Sequence, residues 1–153
     1  MTGITIAPAT DPEREWCARL MASTDPWITL GRRLEDCRER CLHPEYVLLV
    51  AKSGGDPSGF VLMHPRGLAG SPYIASIAIS EEWRGQGIGS ALLDCAEQYF
   101  PNARHVFLLV SSFNVRARPL YERRGYDVVG ELENYVINGA SEILMHKRLA
   151  SAV

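Results

Sequence analysis

The first chemistry legible in this chain is carried by seven consecutive residues, Arg84-Gly85-Gln86-Gly87-Ile88-Gly89-Ser90. They stand between an aliphatic run and an amphipathic segment, so the glycines fall where a strand hands over to a helix. Glycine takes positive φ without strain and lets a ligand approach where a Cβ would block it. The first turn of a helix leaves its N–H groups without carbonyl partners, and the helix dipole makes that end partly positive. Strand, glycine loop and helix start together make a cradle for a pyrophosphate or a similar anion, with Arg84 adding a full charge at the rim. Two nucleotide-binding patterns fail. A Walker loop needs Gly-x-x-x-x-Gly-Lys-Ser/Thr, and this segment contains no lysine; a dinucleotide fingerprint would put its third glycine at Ser90, and the segment lies past mid-chain. A plain glycine-rich turn is the alternative reading.

Cysteine chemistry is the next candidate. Cys17, Cys37, Cys41 and Cys95 form no Cys-x-x-Cys pair. Cys37, Cys41 and the nearby His43 fall short of the four ligands of a closed zinc site. Cys37 and Cys41 also share a helical stripe with Leu30 and Leu34, which predicts buried thiols acting as small hydrophobes and no bound metal. Unpaired, reduced thiols suit the cytoplasm.

The elements that must position the loop follow from periodicity. Residues 3–8 read as a short strand. Thr10 and Glu13 make a capping box with Pro12 in the first turn, and Trp16, Cys17, Leu20 and Met21 give the helix one apolar face. Residues 23–26 break it, and a second helix is expected from about residue 29. Residues 46–51 and 60–63 read as a hairpin around the turn chemistry of residues 53–59, and residues 73–79 as a further strand. Ile88, Leu92, Cys95 and Tyr99 mark a helix that stops before Pro101. Residues 105–110 read as a central strand, a short helix ends near Gly125, and two strands flank the turn at Asn138-Gly139. This predicts an α/β fold of the α+β type, with a mixed, mostly antiparallel sheet of about seven strands flanked by about four helices.

Composition bounds the rest. The chain has 153 residues, 46% hydrophobic, with 16 basic and 18 acidic side chains and a net charge of −2. That length suits one domain spanning residues 1–153. The charge balance argues against a nucleic-acid binder, which needs a basic excess. No apolar run reaches the ~18–20 residues that span a bilayer, and residues 1–8 show no secretory pattern, so a soluble cytoplasmic protein without membrane partners is expected.

Two motifs resemble those of the GNAT N-acetyltransferase superfamily. Arg84-x-x-Gly87-x-Gly89 after a strand is similar to its signature loop, and Asn114-x-x-Ala117-x-x-Leu120-Tyr121-x-x-x-Gly125-Tyr126 is similar to its second signature. The ending Glu142-Ile143-Leu144-Met145-His146-Lys147 resembles the last strand of many members, and the element order matches from residue 3 to about 148. The resemblance implies acetyl-coenzyme A as donor, with no metal. It implies a pantetheine arm along the backbone of Ile77, Ala78 and Ile79, and a pyrophosphate on the amides of Gln86, Gly87, Ile88, Gly89 and Ser90. Arg84, Gly85 and Gln86 border that site, Asn114 lies near the pantetheine, and Tyr121 lies near the thioester sulfur. A monomer or homodimer is expected.

Acetyl transfer to an amine adds nitrogen to a thioester and expels a thiolate. A thiol has a reference pKa of roughly 8.5 and a tyrosine roughly 10, so Tyr121 is protonated at neutral pH and suited to give the leaving group its proton. Packing beside Leu120 is the plainer role for the same ring. Backbone N–H groups near Ile79 are suited to stabilise the oxyanion. An alkylamine of pKa about 10.4 must also lose a proton, and many members resembling this chain place a glutamate on the strand before the loop. Residues 73–79 hold no carboxylate, so the base is unassigned among Glu81, Glu82, Glu131, Glu133 and His64. In the family, segments like residues 23–40 and 131–141 shape the acceptor site. There Asp25, Glu35, Asp36, Glu39, Glu131 and Glu133 are interleaved with Arg32, Arg33, Arg38 and Arg40, and Trp27 and Tyr135 are either cleft or core residues. The expected activity is transfer to a primary amine, whether a small amine, a peptide N-terminus, a lysine or an aminoglycoside, in a direct ternary complex. The alternatives are a coenzyme-A-binding regulatory module without turnover and transfer of a longer acyl group.

Overall fold

Strict alternation builds the centre of the sheet. Along β4 (Ser71–Ile79) every second residue is buried, the period of a strand with two unlike faces. A computed structural model describes residues 3–150. Around β4 the chain runs β1 (Ile4–Pro8), α1 (Asp11–Ala22), α2 (Leu34–Leu42), β2 (Val47–Ser53) and β3 (Asp56–Leu68). After β4 come α3 (Ile88–Tyr99), β5 (His105–Ser111), α4 (Ala117–Arg123), β6 (Asp127–Glu133) and β7 (Ser141–Arg148). The strands form one seven-stranded sheet in the order β1-β2-β3-β4-β5-β7-β6, antiparallel throughout except between β4 and β5. The expected mixed, mostly antiparallel sheet with four helices is therefore present.

Each face of the sheet buries its own apolar cluster. Leu48, Val50, Phe60 and Leu62 point toward α1 and α2, where they meet Cys17, Met21, Cys37 and Cys41. Val61, Met63, Ile74, Val106, Leu108 and Val110 point the other way, onto Leu92, Leu93 and Ala96 of α3 and Tyr121 of α4. A fully buried leucine such as Leu92 contributes roughly 1.5–3 kcal/mol, so these clusters set how the helices lie. Cys37 and Cys41 sit in the first cluster as buried thiols; burial pushes that of Cys41 up to about 12.

Two boundaries differ from the sequence reading. The second helix begins at Leu34, not near residue 29. Asp25 Oδ1 accepts both the N–H and the hydroxyl of Thr29, at 3.0 and 2.6 Å, and Gly31 takes φ +76°. Side-chain bonds of this kind compete with helical backbone bonds and hold the segment in turns. The strand expected at 60–63 is longer, because β3 pairs with β2 from Asp56 to Met63 and with β4 from Gly59 to Leu68.

One irregularity in the sheet matters for function. β4 and β5 pair only at Tyr73–Phe107 and Ile74–Leu108. Beyond them, the β5-facing edge of Ala75 to Ile79 has no strand partner among the described residues, while Ser76 to Ile79 still pair with β3 on the other edge. Backbone N–H and C=O groups without ladder partners need something else to bond, so this parting is a natural place for a ligand.

Candidate active site

The parting between β4 and β5 is where two cavities meet. One, of about 910 Å³, is lined by Ile77 and Ile79 of β4, the glycine loop, the start of α3, residues 113–117 and α4. The other, of about 800 Å³, lies between α2, the middle of β4, the end of β5 and the β6–β7 connection. Pro26, Trp27, Ile77, Asn114 and Tyr121 line both.

The first cavity is suited to an anion. Gly87 caps α3 at φ +81°, a left-handed conformation that other residues adopt only with strain. α1 closes its own N-terminus with the Thr10–Glu13 capping box, and in α2 the Asp36 carboxylate accepts the Arg33 N–H at 2.9 Å. α3 has neither a side-chain cap nor an acidic residue in its first turn. The first intrahelical bond is Ala91 N–H to Gly87 O, which leaves the N–H groups before it for a ligand. Arg84, Arg116 and Arg123 also line this cavity. The residues present thus fit the pyrophosphate and pantetheine of acetyl-coenzyme A. Nothing in the sequence marks Arg116 and Arg123 for this cavity, since only the placement of α4 brings them to it.

The expected donor-site residues divide by location. Ile77, Ile79, Arg84, Gly85, Gly87, Ile88, Gly89, Ser90, Asn114 and Tyr121 line the cavity. Ala78 turns its side chain into the cluster under α1 and α2, and Gln86 is exposed outside the cavity lining. The Arg84 Nε–H donates to the Ile79 carbonyl at 3.3 Å, tying the loop back to the strand end. Asn114 Oδ1 accepts the Ala117 N–H at 3.3 Å and so caps α4, while its own N–H donates to Ser111 O at 2.8 Å.

Helix α4 sets the direction of Tyr121. Pro119 falls in its first turn, where a missing N–H costs nothing, so the helix starts late and is not broken. The helix is held to α3 and β7 through Glu97, which accepts from the Tyr126 hydroxyl at 3.0 Å and from Lys147 Nζ at 2.8 Å, and by an Arg124–Asp94 ion pair. Tyr121 is only 5% exposed. Burial pushes its hydroxyl pKa upward, with a further push from Tyr73, so the phenol is protonated at neutral pH.

None of the expected bases is well placed in the second cavity. His64 lines it, but its Nδ1 accepts the Arg66 N–H at 3.1 Å, and its Nε2 lies 3.4 Å from Glu45 Oε2. Glu81 lines the first cavity, and Glu82, Glu131 and Glu133 line neither. Glu131 accepts the Ser141 hydroxyl at 2.8 Å. Of the acidic residues expected around the acceptor, Asp36 and Glu39 reach the second cavity, where they meet Arg32, Arg40 and Arg66. Trp27 lines both cavities and also packs on the α1–α2 cluster, while Tyr135 lines the second and is 63% exposed. The buried carboxylate in that cavity is Glu142, whose sequence context marks it only as part of the last strand.

Mixed sheet, parted central strands and an anion cradle on the third helix define the acyl-coenzyme A N-acyltransferase class of fold. The chain belongs to the Acetyltransferase (GNAT) family, which it matches over residues 11–126. It is 40% identical over 86 residues to an uncharacterized N-acetyltransferase of Methanocaldococcus jannaschii, covering 54% of this chain and 55% of the relative. It is 36% identical over 76 residues to an N-alpha-acetyltransferase of Sulfurisphaera tokodaii, covering 48% and 46%. The chain spans about half the length of these curated relatives. Among solved structures, an aminoglycoside 6'-N-acetyltransferase complexed with coenzyme A has the same fold at a TM-score of 0.77 and 17% identity, over 97% of this chain and 99% of that one. Among the described residues no helix is long and apolar enough to cross a membrane, and no three His, Cys, Asp or Glu side chains gather as for a metal ion.

Proposed function

We propose that this protein transfers the acetyl group of acetyl-coenzyme A to a primary amine by direct attack in a ternary complex. The acceptor is a small amine, a peptide N-terminus or a lysine side chain. The observation that carries the reading is the pair of cavities that meet at Tyr121 and Asn114, one suited to an anion and one open to a second molecule. The N-acetyltransferase relatives support the reaction, and the Sulfurisphaera tokodaii relative favours an α-amine among the acceptors.

The thioester supplies an activated acetyl group. The chain's own groups do the rest. Amides before Ala91 hold the pyrophosphate, with Arg84, Arg116 and Arg123 adding charge. The unpaired edge of β4 offers N–H groups to the pantetheine and to the developing oxyanion. Tyr121 gives its proton to the departing sulfur. A direct route also agrees with the thiols: burial raises the pKa of Cys37, the cysteine lining the second cavity, where a nucleophilic cysteine needs a lowered one.

Thiol release from acetyl-coenzyme A over a panel of short peptides, polyamines, lysine peptides and aminoglycosides tests the reading, beside calorimetry with coenzyme A. Turnover of at least one amine is expected. Tight coenzyme A binding with no turnover on any amine would instead mark a regulatory module, and turnover only with longer acyl donors a different transferase.

A further inference from the structure

Glu142 is a buried carboxylate without a counter-ion. It is 6% exposed, it lines the second cavity, and among the described residues no basic group makes an ion pair with it. Its neighbours across the sheet are Ser111 on β5 and Leu132 on β6. The Ser111 hydroxyl donates to Oε2 at 2.8 Å, the one hydrogen bond found for this carboxylate among the described residues. A buried carboxylate satisfied by a single neutral hydroxyl is costly, and structures keep such groups where a ligand or water completes them. Burial raises its pKa above the ordinary carboxylate value, outweighing the Ser111 hydrogen bond and the charge of Arg32, which both favour the ionised form.

Its location ties it to the reacting centre. Ser111, its hydrogen-bond partner, accepts the backbone N–H of Asn114, which lines both cavities. Tyr73 links it to the proposed acid: burial raises the Tyr73 hydroxyl to about 12, Glu142 adds to that rise, and Tyr73 in turn raises Tyr121. Charged and titratable groups reach this pocket from every side. Arg32 comes from the turn before α2, Asp36, Glu39 and Arg40 from α2, and Tyr135 from the β6–β7 connection. His43, Glu45, Tyr46, His64 and Arg66 line the same cavity. Asp36 accepts the Arg33 N–H, Glu45 stands against His64, and Asp36, Glu39 and Glu45 are exposed. Glu142 alone of these carboxylates is buried.

We propose that Glu142 takes the proton from the acceptor's ammonium group, with Ser111 holding the carboxylate in position. The inference rests on the acetyltransferase reading above and names the base it lacks. The ammonium gives one proton to a Glu142 oxygen and becomes a neutral amine. As its lone pair forms the N–C bond and the C–S bond breaks, Tyr121 protonates the sulfur and recovers a proton from the new nitrogen centre. Glu142 releases its proton to water. The sum is one ammonium and one thioester converted to one amide, one thiol and one proton.

The test compares wild type, Glu142→Gln and Ser111→Ala, using a short peptide with a free amino terminus or, if the panel prefers another amine, that amine. For Glu142→Gln we expect kcat at pH 7 to fall by about 10²- to 10⁴-fold, with coenzyme A affinity by calorimetry unchanged. Its activity should then climb with pH, following the acceptor's own ionisation, because the free amine no longer needs a base. Ser111→Ala removes the donor that favours the ionised carboxylate, so the acid limb of its pH profile should move to higher pH. Wild-type turnover together with a Glu142→Gln variant of unchanged rate and profile overturns this inference alone. A loss of rate that is the same at every pH also overturns it, since that is the mark of a structural role. A wild type that turns over no amine sinks both the acetyltransferase reading and the base.

Discussion

The proposed reaction gives Tyr121 and Glu142 opposite tasks, and burial favours both. Withdrawing a phenol from water makes its ionised form dearer, so Tyr121 keeps its proton at neutral pH, as the proposed acid must. Withdrawing a carboxylate raises its affinity for a proton, which suits a group that must take one from an ammonium. Replacing Tyr121 by Phe removes the proton and leaves the ring that packs against Tyr126, at 6.0 Å between centroids. Turnover should fall by about 10²-fold or more while coenzyme A affinity and thermal midpoint stay near wild type. Calorimetry, unfolding and steady-state rates on the one variant check this, and unchanged turnover would remove Tyr121 as the acid. The two residues were not equally legible. Tyr121 sits inside a local pattern running from Asn114 to Tyr126, and such patterns survive reading a chain in one dimension. The significance of Glu142 depends on β7 lying between β5 and β6, because Ser111 stands 31 positions away. No spacing announces that.

Among elements, the start of α3 is the centre of the proposed donor site, and its part there rests on what it lacks. α1 satisfies its first turn with its own side chains, whereas α3 leaves its N–H groups to a ligand. Gly87 makes this possible twice over, through its φ of +81° and through the open space where a Cβ would stand. Replacing Gly87 by Val should cost about 1–2 kcal/mol through the left-handed backbone, since among the described residues no neighbouring atom lies within 4 Å of the added Cβ. The same side chain would stand in front of the open amides, so coenzyme A affinity should drop more than tenfold in calorimetry. Full retention would remove the cradle. Strands and most helices were readable because their apolar periods are long and clean. The late start of α2 was not, since Leu30 continues the stripe of Leu34, Cys37 and Cys41, yet Asp25 and Gly31 hold that stretch in turns. A proline such as Pro119 is ambiguous in sequence for the converse reason: whether it opens a helix or bends one depends on where α4 begins, and there Asn114 Oδ1 accepts the Ala117 N–H.

Across the whole molecule, the parting of β4 and β5 opens beside α3 and α4, which already pack together on that face of the sheet, so a donor bound there adds contacts to three elements at once. Ile77 and Ile79 of β4, the start of α3 and Leu120 and Tyr121 of α4 all line the donor cavity. A ligand that touches all three binds the native chain and has no comparable site on the unfolded one. At a concentration 100 times its dissociation constant it therefore stabilises by about 2.7 kcal/mol. For a chain of this length 1 kcal/mol moves the thermal midpoint by about 2–4 °C, so saturating coenzyme A should raise it by about 5–11 °C. Salt tests how the site holds its anion. Net charge is −2, and the three arginines lining the cavity are exposed, so their long-range attraction is screened while the α3 amides act at contact. The midpoint shift should shrink between 50 and 500 mM sodium chloride but persist, and differential scanning calorimetry at both concentrations would show it. A shift abolished by salt would transfer the binding from the backbone of α3 to Arg84, Arg116 and Arg123.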